Sequence, residues 1–190
     1  MYFINLQSAV SFDRAFSVST NEVFDMNEES QPIFFPVSRL KLFVMYTVTF
    51  GLYEVFLFYK NWQLFKAKTG NDISPFWRTV FGVFYFYDLL AHIQEKALSR
   101  RVYAYFSPFL LTVVWIGLRV CSRLPDPYWI VGYFSVIVLF PVQETVNELN
   151  CVVAPNHNPN DRFSVWNILT IAVGGSLIVL AIVGTLMPET

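Results

Sequence analysis

Apolar and polar positions alternate along the chain in long blocks. The first apolar block, LKLFVMYTVTFGLYEVFLFYKNW from Leu40 to Trp62, contains an uncharged run from Leu42 to Tyr53. Continued through Glu54 to Tyr59 it reaches 18 residues, close to the minimum for crossing a hydrocarbon core of about 30 Å at about 1.5 Å per residue. The pattern predicts a helix over about 40–68, with Gly70 as its stop. Ser74-Pro75 is a cap followed by proline at the first turn, and predicts a second helix over about 75–98. A third apolar run, Val102 to Leu118, predicts a helix over about 103–123, for which Ser107-Pro108 offers an alternative start. After the turn Leu124-Pro-Asp-Pro127, a fourth run predicts a helix over about 128–149. The last run, Ile168 to Met187, carries no charge for 20 residues and predicts a helix over about 165–187.

The second segment reads two ways. Arg78, Tyr85, Asp88, His92 and Glu95 fall on one helical face, opposite an aromatic surface. Such a helix fits a span facing other helices, or one lying in a membrane interface. Residues 1–36 differ from all of this: one Arg against five acids, with Pro32 and Pro36 breaking any helix. They read as an acidic polar tail, with Ser19-Thr-Asn-Glu22 as a possible capping box.

Composition narrows the class. Charged residues are 14% of the chain, where a soluble domain carries about a quarter. Runs of this length without alternation exclude a barrel, since each barrel strand alternates lipid-facing and lumen-facing residues. The expectation is an all-α integral membrane bundle with four to five membrane-embedded helices, residues 37–190 forming the membrane domain. The bilayer is then one partner, and a net charge of −1 gives nucleic acid nothing to bind. Tyr59, Lys60, Trp62, Trp77, Tyr128, Trp129 and Trp166 are the expected interface anchors. Thr170, Gly174, Ala181 and Thr185 form a small-residue helix-packing face. Cys121 and Cys151 have a span between them, so no disulfide is expected. The chain start has no basic leader before an apolar core, and no signal peptide is expected.

Candidate chemistry centres on Glu54, an ionisable group inside an apolar run that must face protein or water. Thr47, Gly51, Glu54 and Asn61 share a face of the expected helix, and Arg78, a Tyr hydroxyl or the Lys60 side are its expected counterparts. Asp88 and His92, four apart, could hydrogen-bond as half of a general-base or metal pair. Beyond Pro141, Gln143, Glu144, Asn147 and Glu148 make a polar helix end, readable as a pocket lining or as a wetted terminus. Glu54, Arg78, Asp88, His92, Glu144 and Asn147 are the candidate functional cluster. No nucleophile–base set, metal-ligand pair or Gly-rich phosphate loop accompanies them, so no cofactor or metal is expected.

The run Thr49-Phe-Gly-Leu-Tyr53-Glu54, followed by Phe58-Tyr59-Lys60-Asn61-Trp62 and later by Ile73-Ser-Pro-Phe-Trp-Arg78, resembles the signature of a bacterial family of small integral membrane proteins catalogued as a domain of unknown function. Leu57 stands where that pattern usually has Trp. The resemblance covers about residues 38–98 and implies a bacterial inner-membrane location, without implying an activity. Three functions stay open. The first is a non-enzymatic accessory subunit that binds another membrane protein or itself. The second is a small transporter or proton-linked channel using the intramembrane ionisable residues. The third is a lipid-acting enzyme using Asp88 and His92.

Overall fold

A computed structural model describes residues 31–124, 131, 132 and 134–186 of the chain. Among these the chain is all-α, with no strand: α1 Arg39–Val48, α2 Leu52–Thr69, α3 Pro75–Val80, α4 Gly82–Ser99, α5 Pro108–Cys121, α6 Ser135–Val153 and α7 Val165–Leu186. By length and composition α6 is the one described helix fit to cross a membrane; α5 and the 165–180 part of α7 are apolar but shorter.

The helix expected over 40–68 is two helices. α1 ends in a Schellman motif: the Gly51 N–H donates to the Tyr46 carbonyl (2.9 Å) and the Phe50 N–H to that of Thr47 (3.2 Å). The motif places Phe50 at φ 52° and Gly51 at φ 86°, the left-handed region that suits glycine far better than phenylalanine. The Thr49 hydroxyl serves both sides of the break. It donates to the Met45 carbonyl (2.7 Å) and accepts from the Tyr53 N–H (2.9 Å), so it closes α1 and opens α2. The chain thereby folds back, and Asn61 of α2 reaches Phe35 ahead of α1. One continuous helix would hold Arg39 and Asn61 about 33 Å apart.

The helix expected over 75–98 is also divided. Ser74 and Pro75 do start it, but Phe81 interrupts it. Short α3 lies along α2, with the Arg78 guanidinium 4.5 Å from the centre of the Trp62 ring. After Phe81 the direction reverses. Gly82 approaches the Phe58 ring, Phe86 stacks on Phe58 and, further on, His92 stacks on Phe65. α4 therefore runs in the same direction as α2, and it packs against α5 and α6 inside the bundle. This geometry puts Lys66 and Lys68 at the same end as Lys96, Arg100 and Arg101.

α5 begins at Ser107-Pro108, where the Ser107 hydroxyl accepts from the Leu110 N–H, and Val102 to Phe106 form a link rather than a first turn. α6 begins later and ends later than the expected 128–149, and runs through Pro141. Tyr128 and Trp129, like residues 1–30, lie outside the described residues. The core runs between α1, α2, α4 and α6 and is built from Leu42, Met45, Leu57, Phe58, Trp62, Phe86, Leu90, Ile93, Leu139 and Leu149.

α7 packs mainly on α1. Its seam is Gly174, where a Cβ would collide with the Val48 carbonyl oxygen, whereas a Cβ at Gly175 would meet nothing within 4 Å. Gly174→Ala should therefore destabilise the detergent-solubilised chain by about 1–3 kcal/mol through overpacking. Gly175→Ala should leave the thermal midpoint unchanged or raised. Equal effects of the two changes would refute this seam.

Candidate functional site

Glu54, in the first turn of α2, is 1% exposed. Its Oε1 accepts from the Trp115 indole N–H (2.6 Å) and its Oε2 from an Arg119 Nη2–H (2.7 Å). Both partners sit on α5 at i and i+4, the spacing that puts two side chains on one helix face. The Arg119 guanidinium also lies 5.3 Å from the centre of the Trp115 ring, which holds its plane. A buried carboxylate in a low-dielectric interior is tolerated only with such partners. Phe58 and Phe86 pack on Trp115 and complete the dry wall around the pair. Glu54, Trp115 and Arg119 line a cleft of about 340 Å³, whose other walls include Val55, Thr79, Val83 and Arg123.

A second polar assembly lies at the other end of α6. Residues 33–36, expected within a polar tail, and Val37 after them are buried or half-buried and non-helical, with Phe34 and Val37 fully inside. Pro36 keeps the residue before it extended and lacks an N–H, so helix cannot satisfy this backbone. Five side-chain carboxamides do so. Asn150 Oδ1 accepts from the Ile33 and Phe34 N–H groups, and its Nδ2 donates to the Phe34 carbonyl. Asn61 accepts from the Phe35 N–H; Gln143 donates to the Phe35 carbonyl. Asn160 donates to the carbonyl of Pro36, and Asn147 to that of Val37. Lys41 braces Asn160 through Oδ1 (2.7 Å) and also donates to the Arg162 carbonyl. Gln143 and Asn147 therefore hold the protein's own backbone, while Glu148 of the same polar helix end is exposed.

The expected cluster is dispersed. Glu54 pairs with Arg119 and Trp115, not with Arg78, a tyrosine or the Lys60 side. Arg78 stacks between the Trp62 and Tyr85 rings. His92 stacks on Phe65, with Nδ1 3.7 Å from a Glu95 carboxylate oxygen. Asp88 is half-buried and has no hydrogen bond or ion pair among the described residues, so the anticipated Asp88–His92 bond is not made. Glu144 pairs with Arg39. Thr47 leaves the Glu54 face because of the break at Gly51, and its hydroxyl donates to the Phe43 carbonyl.

Of the expected interface anchors, Trp62 is fully buried, Tyr59 and Lys60 are half-buried, and Trp77 and Trp166 are exposed. Thr170 turns its hydroxyl to the Trp166 carbonyl, Gly174 is the α1 seam, and the side chains of Ala181 and Thr185 lie outside the described residues. Cys121 and Cys151 are free, at the ends of α5 and α6 that lie on opposite sides of the bundle.

The residues sequence reasoning missed are Trp115, Arg119, Asn150 and Asn160. A signal existed for the first two. Arg119 follows Trp115 by four positions at the end of an apolar run, and such a run offers a buried acid few other cations. No family model matches the chain, and no curated protein or solved structure matches it.

Arg119→Ala would strand the Glu54 carboxylate. The expected loss is about 3 kcal/mol, the low end for a buried pair because Arg119 is itself 38% exposed. Glu54→Gln combined with Arg119→Met should recover most of that loss in chemical unfolding. A double variant as unstable as the sum of the two single changes would disprove the pairing.

Proposed function

We propose that the chain is a membrane-embedded helical bundle that works as a non-enzymatic accessory or interaction subunit, binding another membrane protein or a second copy of itself. The observation that carries this reading is α7. It touches the rest of the bundle chiefly along the Gly174 seam, and leaves Val165, Trp166, Leu169, Val173, Leu177 and Leu180 exposed. An apolar surface of that extent needs lipid or protein against it. Its hydroxyls are compatible with either: Thr170 and Ser176 donate back to carbonyls of their own helix. Inside the bundle, Glu54, Asn61, Gln143 and Asn150 are engaged in holding the fold. On this reading α1, α2 and α4–α7 are embedded, although several are shorter than a full span.

The reversal at Phe81 supports an orientation. Lys66, Lys68, Lys96, Arg100 and Arg101 gather at one end, and by the positive-inside rule that end faces the cytoplasm. A bacterial inner membrane rests on the resemblance of Thr49 to Trp62 and Ile73 to Arg78 alone. A proton-linked carrier or channel has less support, because Glu54 is closed off by Trp115 and Arg119 while Arg78 and His92 are stacked on rings elsewhere. A lipid-acting enzyme based on Asp88 and His92 lacks their mutual hydrogen bond.

The chain should stay with membranes through alkaline carbonate washing, and in mild detergent it should elute with a stoichiometric second protein or as a homo-oligomer by native mass. Release by carbonate would end the membrane reading, and a lone monomer would end the subunit reading. In intact cells, a membrane-impermeant maleimide should label Arg123→Cys and spare Asn158→Cys, both in a chain lacking Cys121 and Cys151. The reverse pattern would invert the orientation.

A further inference from the structure

We propose that the cleft beside the Glu54–Arg119 pair binds one anionic amphiphile, its phosphate or carboxylate head at Arg119 and Arg123 and its acyl chain along the neighbouring groove past Val55 and Val80. This is independent of the partner-subunit reading. Three observations carry it.

The first is charge. Arg119 spends one Nη2–H on Glu54, and its remaining donors make no hydrogen bond among the described residues. A guanidinium has five donors in a fixed fork, suited to a planar or tetrahedral oxyanion. Arg123, four residues on, lines the same cleft and has no acidic partner among the described residues. Among the described residues, two cations against one carboxylate leave a single positive charge, which matches one monoanionic head.

The second is shape. An almost wholly apolar groove of about 410 Å³, with Leu52, Phe56 and Phe76 in its walls, shares Val55, Thr79 and Val80 with the cleft. A charged compartment and an apolar one with a common wall fit a molecule with a compact head and a long tail. A free inorganic anion would leave the groove empty, and an uncharged alkane would leave the arginines unused.

The third is the role of Glu54. Its two oxygens are both engaged, one of them on Arg119, so it fixes the guanidinium while the second cation, Arg123, outweighs its charge. In this account Glu54 is a positioning residue for the binding guanidinium.

The test uses the full chain in a neutral detergent, with dodecyl phosphate as probe and native mass spectrometry as readout. Inorganic phosphate and dodecanol serve as the separate arms for head and tail. One dodecyl phosphate should bind per chain, and neither control compound should bind comparably. Arg123→Ala should weaken binding about tenfold or more, the loss expected for a charge-assisted contact. Arg123→Lys should retain part of it, and Arg100→Ala, at the opposite end, should change nothing. Arg123 and Val80 are both exposed, so variants at either position are expected to fold, which an unchanged thermal midpoint checks. Val80→Trp, filling the shared wall, should weaken dodecyl phosphate. Equal binding of dodecanol, equal binding of inorganic phosphate, or indifference to Arg123→Ala or Val80→Trp would each overturn the proposal.

Discussion

A peptide segment without helical hydrogen bonds can enter a dry interior only if something else satisfies its N–H and C=O groups, and residues 33–37 bring that demand into the heart of this bundle. Leaving one such group bare costs about 1–3 kcal/mol, roughly twice the net gain from making a typical bond. The answer here is a set of carboxamides, each able both to donate and to accept, gathered from α2, α6 and the link before α7. Because the clamps come from three separate places in the sequence, satisfying the segment also fixes how those elements sit. The start of α1, the middle of α2 and the end of α6 are brought together by the same small group of bonds.

At the opposite end of the bundle, Glu54 performs the corresponding task with charge. It ties the start of α2 to the end of α5, while Tyr46 and Ser135 join α1 to the start of α6 through their hydroxyls at 2.5 Å. Between these two polar layers the contacts are aromatic and aliphatic, with Phe58, Phe86 and Trp115 forming one continuous cluster. α7 stands apart, fastened by a glycine seam on α1, with much of its apolar side chain surface exposed.

Several local signals in the sequence set the backbone as expected. Gly70 ends α2 in the left-handed region, and Ser74-Pro75 and Ser107-Pro108 both begin helices. The all-α architecture follows from the same patterns. What was not legible is where the apolar runs break and which side chains then meet. Phe50 adopts a positive φ that its side chain disfavours, held there by the Schellman bonds and by Thr49, so an apolar run that looks continuous is a hairpin. The reversal at Phe81 likewise has no proline to announce it. It explains how the basic residues at the C-terminal ends of α2 and α4 share an end although α4 lies within the bundle.

The candidate site was half legible. Glu54 stood out because an acid in an apolar run needs a partner, but several cations could have supplied one, and only the fold selects Arg119 over Arg78. Trp62 illustrates the opposite error: a tryptophan beside lysine and asparagine looks interfacial, and here the Arg78 guanidinium covers its face while Phe65 meets it in a T-shaped contact. The asparagines resembled ordinary turn and terminus residues, since nothing in a single sequence says that their amides point at another segment's backbone.

The central claim is that interior polar side chains hold the fold by satisfying buried backbone, and amide hydrogen exchange of the full chain in lipid nanodiscs tests it most directly. The account predicts that the Ile33, Phe34 and Phe35 amides exchange as slowly as those in the middle of α6, and that Asn150→Leu releases Ile33 and Phe34 while the core of α6 stays protected. Rapid exchange of these amides in the unaltered chain would contradict it.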